Sequence, residues 1–169
     1  IFNRYHPDAA TAELLLLADA SGIALRADKA QRIIETTVPF PRIIPKRVLY
    51  RIEEEIRAAY ELNSVRICPK YPSALFDVDQ IPDLLMETNR RGIVANGFFN
   101  QCDYRLANGE LNIEIPFTDS GVELIYNAQT PRLMEEIVKD EFGVTLRVNI
   151  RRMEGFDPSA FQTPMQTRL

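Results

Sequence analysis

The sequence has no tryptophan, one histidine (His6) and two cysteines, Cys68 and Cys102. Each scarcity removes a class of chemistry. A serine, threonine or cysteine nucleophile needs a general base, and His6 is the one histidine on offer. Two distant cysteines without a Cys-x-x-Cys partner make neither a disulfide framework nor a four-ligand zinc site. Reduced, buried thiols in a cytoplasmic setting are the expectation. No apolar run approaches the roughly 18 residues of a membrane span. The longest compact one, "LLLLA" at 14–18, is about a turn of helix. The first residues carry neither the basic start nor the long apolar stretch of a secretory signal. A GxxxxGK phosphate loop is absent. Basic excess is missing too: the net charge is −4 and the pI ≈ 5.1. That argues against a dedicated nucleic-acid binder, whose affinity rests on neutralising phosphates.

What remains is ordinary globular composition, 46% hydrophobic and 26% charged over 169 residues, enough for one domain or two small ones. The stretch "DAATAELLLLADASG" reads as a short helix, with Asp8 or Thr11 as its cap and Gly22 past its end. Residues 23–40 read as a hairpin turning at Asp28-Lys29, and Pro39, Pro41 and Pro45 rule out a continuing interior strand. "PKRVLYRIEEEIRAAYEL", 45–62, is a helix with Pro45 at its first position and Leu49, Ile52 and Ile56 on one stripe. Glu53, Glu54 and Glu55 are expected on its solvated face. "SVRICP", 64–69, is a strand stopped by Pro69.

A related plan follows. "IPDLLMETNRRG" is a helix capped by Asp79 and stopped by Gly92, with Arg90 and Arg91 complementing its dipole. "GIVANGFFN" is a loop that plugs Phe98 and Phe99 into the core. "CDYRL" and "ELNIEIPF" flank Asn108-Gly109, the strongest hairpin signal in the chain. Leu111, Ile113, Ile115 and Phe117 alternate with Asn112, Glu114 and Pro116, so one face is buried. Two short helices follow, "SGVELIYNA" capped by Ser120 and "TPRLMEEIVKDEFG" capped by Thr130, with Leu133, Met134, Ile137, Val138 and Phe142 inward. "VTLRVNIRR" alternates Val144, Leu146, Val148 and Ile150 inward with Thr145, Arg147, Asn149 and Arg151 outward.

These elements predict an α+β chain of two small α/β-layer units. The first covers 1–72, the second 73–152, and 153–169 is a linker toward downstream modules. The chain is expected to be a piece of something longer. From residue 81 the order helix, strand, strand, helix, helix, strand is that of the type II KH fold, whose helix–helix turn carries a GXXG clamp on nucleic-acid backbone. Here the turn reads Gln129-Thr130-Pro131-Arg132. It has no glycine to let phosphates approach, and Pro131 has no N–H to donate. Arg132 is a lone charge near Glu135 and Glu136. The clamp is degenerate.

Three stretches carry a resemblance: "VPFPRIIPKRVLYRIEEEIRAAYELNSVRICPKYP", "GFFNQCDYRLANGELNIEIPF" and "LMEEIVKDEFGVTLRVNI". From about Ala12 to Arg152 the chain resembles the N-terminal region of the PolC-type DNA polymerase III alpha subunit. The resemblance implies a first N-terminal domain and a KH-like second one, ahead of oligonucleotide-binding, exonuclease and polymerase modules. It also implies that this region does no chemistry and needs no cofactor. Its role in DNA replication would be tethering, to the clamp-loader tau subunit or other replisome proteins. The helix 45–62 and the edge strands around 23–28 and 64–68 are the docking surfaces the sequence suggests.

The residues themselves agree on catalysis. Asp77 and Asp79 are the nearest thing to a metal-binding carboxylate pair, and capping explains Asp79. The alternative to tethering is an auxiliary single-stranded DNA surface. Arg147, Arg151 and Arg152 on the last strand, Arg105 on a neighbouring one and Arg132 at the turn are its candidate contacts. Few aromatics accompany them, and Tyr104 is assigned to the core.

Overall fold

Residues 3–92 and 97–155 are described in the structure, a computed structural model. Among them lie five α-helices and two three-stranded sheets, a mixed α+β architecture. The chain divides into two compact units, Ile1–Asp83 with Val138–Val144, and Leu84–Ile137 with Thr145–Leu169. The sequence reading places the division after residue 72 and assigns no later segment to the first unit.

In the first unit, helix α1 (Ala9–Leu16) is capped by Asp8, whose carboxylate accepts the Thr11 N–H at 2.7 Å. Strands β1 (Ala24–Asp28) and β2 (Ile33–Pro39) form an antiparallel hairpin. Helix α2 (Lys46–Ala59) then crosses over, and β3 (Ser64–Lys70) pairs parallel to β2, giving the order β1-β2-β3. A parallel neighbour requires such a crossover. Pro45 stands one position before the helix, as its cap. Pro69 does not stop β3, which runs on to Lys70. An edge strand tolerates a residue that cannot donate outward. Phe40, Ile44, Leu49, Ile52, Ile56, Val65 and Ile67 form the core.

One expectation about α2 is overturned. Glu53 is not solvated: it is 6% exposed, and its Oε1 accepts the Ile67 N–H at 2.7 Å. Glu54 bonds Arg57 Nε at 2.7 Å, and Glu55 accepts the Tyr5 hydroxyl at 2.8 Å. Consecutive helical residues point in different directions, so the acidic run was never one face. At the start of α2, Lys46 is also buried, its ammonium paired with Glu141. Tyr71 packs on Phe142 at 5.1 Å between ring centres and donates its hydroxyl to the Ile44 carbonyl at 3.2 Å.

In the second unit, α3 (Ile81–Arg91, from Leu84 onward) precedes β4 (Asp103–Ala107) and β5 (Glu110–Ile115). Asn108 at φ 53° and Gly109 at φ 75° make their turn, as a primed hairpin turn requires. Helices α4 (Asp119–Asn127) and α5 (Thr130–Phe142, as far as Ile137 in this unit) cross over to β6 (Arg147–Arg152). β6 pairs parallel to β5, and the order is β4-β5-β6. Each unit thus has a hairpin, a helical crossover and a third strand parallel to the second. Leu111, Ile113, Ile115, Ile125, Met134, Ile137, Leu146, Val148 and Ile150 fill the core. Phe99 is buried, and Phe98 packs on Phe117 at 4.6 Å.

Several local expectations shift. Thr118, not Ser120, caps α4, accepting the Gly121 N–H. Asp77, not Asp79, is the acceptor in the turn leading to α3. Thr130 is the first residue of α5 rather than the residue before it. Tyr104 is 38% exposed, because β4 is an edge strand whose inward side is incompletely covered. Residues 93–96 of the loop at 92–100, and 156–169 of the tail from 153, lie outside the described residues.

Candidate nucleic-acid interface

The helix–helix turn is built without glycine. Gln129 holds the left-handed conformation, at φ 56°, that a glycine would favour. Its N–H is consumed by the Tyr126 carbonyl at 2.9 Å, and its carbonyl accepts the Leu133 N–H at 3.0 Å. Thr130 and Pro131 are buried, while Gln129 and Arg132 are exposed. A phosphate approaching this corner therefore meets a spent amide at 129 and a missing one at 131. Arg132 is itself engaged, its Nε at 3.1 Å from Glu136.

The candidate arginines on the sheet belong to a ladder of opposite charges. Register sets Asp103, Glu114 and Arg151 in one rung of the outer face, Arg105, Asn112 and Asn149 in the next, and Ala107, Glu110 and Arg147 in the third. Arg151 grips Glu114 through Nε at 3.0 Å and again through Nη2, and this carboxylate raises the arginine's pKa further. Arg147 lies 3.8 Å from Glu110. Asn149 donates to Asn112 at 3.3 Å. Arg152 lies 3.5 Å from Asp119. Three acidic residues thus balance three arginines on this face, and register places no aromatic residue in these three rungs.

Asp103, Tyr104, Arg105, Asn112, Glu114 and Arg151 line an open groove of about 550 Å³. Arg105 is the one candidate without a carboxylate partner among the described residues. Arg90 and Arg91, at the end of α3, both turn to buried Glu87 on their own helix. This one carboxylate offsets one of the two positive charges.

Side chains to which the sequence reading gave no such role close the sheet edges. On β6, Glu135 Oε1 accepts the Val148 N–H at 2.9 Å, and the Tyr126 hydroxyl accepts the Ile150 N–H at 3.0 Å. On β3, Glu53 does the same for Ile67. In each unit a crossover helix supplies an acceptor to the outer edge of the third strand. Nothing local in the sequence marks these residues as caps. The charge ladder did leave a signal: Glu110 and Glu114 share the four-residue spacing of Arg147 and Arg151 on the strand that pairs with theirs.

Among the described residues no group of three or more histidine, cysteine, aspartate or glutamate side chains is placed to hold a metal ion. No helix among them is long and apolar enough to cross a membrane. No known family model matches the sequence, and none of the curated proteins compared with it does.

Proposed function

We propose that this chain is a non-catalytic interaction region of a PolC-type replicative DNA polymerase, holding the enzyme to the clamp-loader tau subunit or another replisome protein. The second unit is then a KH-like layer kept as a scaffold without its clamp. The observation that carries this reading is the turn at Gln129-Thr130-Pro131-Arg132, with a spent amide, a buried proline and a paired arginine. The element order of the second unit and the segments of resemblance support it. The polymerase and 3′–5′ exonuclease chemistry of such a parent belongs to other modules. Calorimetry of the chain with clamp-loader tau tests the proposal. A complex with Kd on the order of micromolar or tighter, about 8 kcal/mol of binding free energy, is expected; no heat at tens-of-micromolar concentrations (less than about 6 kcal/mol) sinks it.

A second reading, an accessory surface for single-stranded DNA, is favoured by Arg105 alone, the candidate with no carboxylate partner among the described residues. If it holds, Arg105→Glu together with Arg147→Glu and Arg151→Glu lowers the affinity for labelled single-stranded DNA at low salt. An unchanged affinity removes the sheet face from consideration.

A further inference from the structure

The first sheet has one closed edge and one open edge. On β3, Glu53 occupies the Ile67 amide, and Pro69 has none to offer. β1 is exposed at every residue. Alternate residues of such an edge direct N–H and C=O groups away from the sheet.

The side chains of β1 divide by register. Leu25 and Ala27 lie opposite Thr36 and Ile34, on the face that packs on the helices, and Leu25 is still 44% exposed. On the outer face Arg26 lies opposite Glu35, and Glu35 opposite Arg66 of β3, so charge alternates across the strands. Arg26 ends that row with no ion-pair partner among the described residues. A fourth strand with an acidic residue beside Arg26 continues the alternation, and an apolar residue beside Leu25 completes its cover.

We infer that β1 accepts an extended acidic–apolar segment of a partner protein as a fourth strand, with a carboxylate against Arg26 and an apolar side chain against Leu25. The main-chain ladder supplies affinity, and the alternating side chains supply choice. This deepens the interaction reading above and rests on it for the existence of a partner. A second copy of the chain fits less well. Antiparallel pairing of β1 with itself about Arg26 sets two guanidinium groups opposite each other, which is destabilising. The β4 edge of the second unit presents Asp103 and Arg105 on its outer face and so favours neither sign.

The test uses a synthetic peptide alternating valine with glutamate and a counterpart alternating valine with lysine. Each is titrated into the full chain, followed by amide NMR and hydrogen exchange. The glutamate peptide should protect amides in Ala24–Asp28 and bind the tighter of the two, by roughly threefold. Arg26→Glu, a change at an exposed side chain, should reverse that order. Protection at Ser64–Lys70 or Asp103–Ala107 instead, an order indifferent to Arg26→Glu, no shift with peptide in large excess, or self-association of the chain through β1 each overturns the inference. Clamp-loader tau binding that leaves the β1 amides unprotected overturns it as well, while sparing the proposed function. Peptide capture at β1 with no tau binding supports the docking site and rejects tau as the partner.

Discussion

Gln129 shows at a single residue how a turn outlives the glycine that would suit it. A non-glycine residue at φ 56° carries left-handed strain that a glycine would not. Gln129→Gly is therefore expected to stabilise the chain by roughly 0.5–1 kcal/mol in urea denaturation, after the glycine's entropic cost is subtracted. It should leave nucleic-acid affinity unchanged, because Pro131 still withholds its amide. Lys46 and Glu141 make a different case: both are buried and each is the other's ion-pair partner. Glu141→Ala should cost about 3–5 kcal/mol by stranding the ammonium, whereas Lys46→Met with Glu141→Leu should be close to neutral. Denaturation of the single and double variants separates the two outcomes. Asp8 titrates. The Thr11 main-chain N–H, followed by its side chain, holds the Asp8 carboxyl below its ordinary 3.8. A lowered folded pKa means that its contribution is complete above that ordinary value and is lost as pH falls through the folded one. The melting-temperature gap between the native chain and Asp8→Ala should thus be present at neutral pH and close in acid. A gap that widens in acid contradicts the assignment.

Edge control belongs to the elements. Exposed strand edges template further pairing, and here two of them are blocked by acceptors reaching from crossover helices. Removing one acceptor leaves a main-chain donor unsatisfied, at about 1–3 kcal/mol, and also reopens an edge. Glu53→Ala and Glu135→Ala should each lower stability and make the chain associate with rising concentration in sedimentation experiments. Glu53→Gln, which keeps an acceptor, should do neither. The elements themselves were legible from pattern. The stripe Leu49, Ile52, Ile56 announced α2, the alternation Leu111, Ile113, Ile115 announced β5, and Asn108-Gly109 announced the turn between β4 and β5. Glu53 was misjudged because burial of a charged side chain depends on an amide fourteen residues away, which no local period encodes.

For the whole molecule, charge is the deciding quantity. A chain of net charge −4 repels polyanions at a distance, and the outer face of the second sheet adds no compensating field, since its arginines are matched by Asp103, Glu110 and Glu114. Its affinity for single-stranded DNA should be weak even at low salt, with a shallow salt slope of about one phosphate contact or fewer. Fluorescence anisotropy across a salt series measures both. A steep slope would show that the paired arginines release their carboxylates to bind phosphate.

The sequence by itself determined the element order, the hairpin turn, the buried faces and the loss of glycine from the helix–helix corner, because each follows from propensity or from a period of a few residues. Tertiary structure alone decided that all the candidate arginines except Arg105 are spent on neighbouring carboxylates, that Glu53 and Glu135 close two edges, and that β1 stays open. Those outcomes depend on which strands lie side by side and in what register, and register is settled only when distant segments pack.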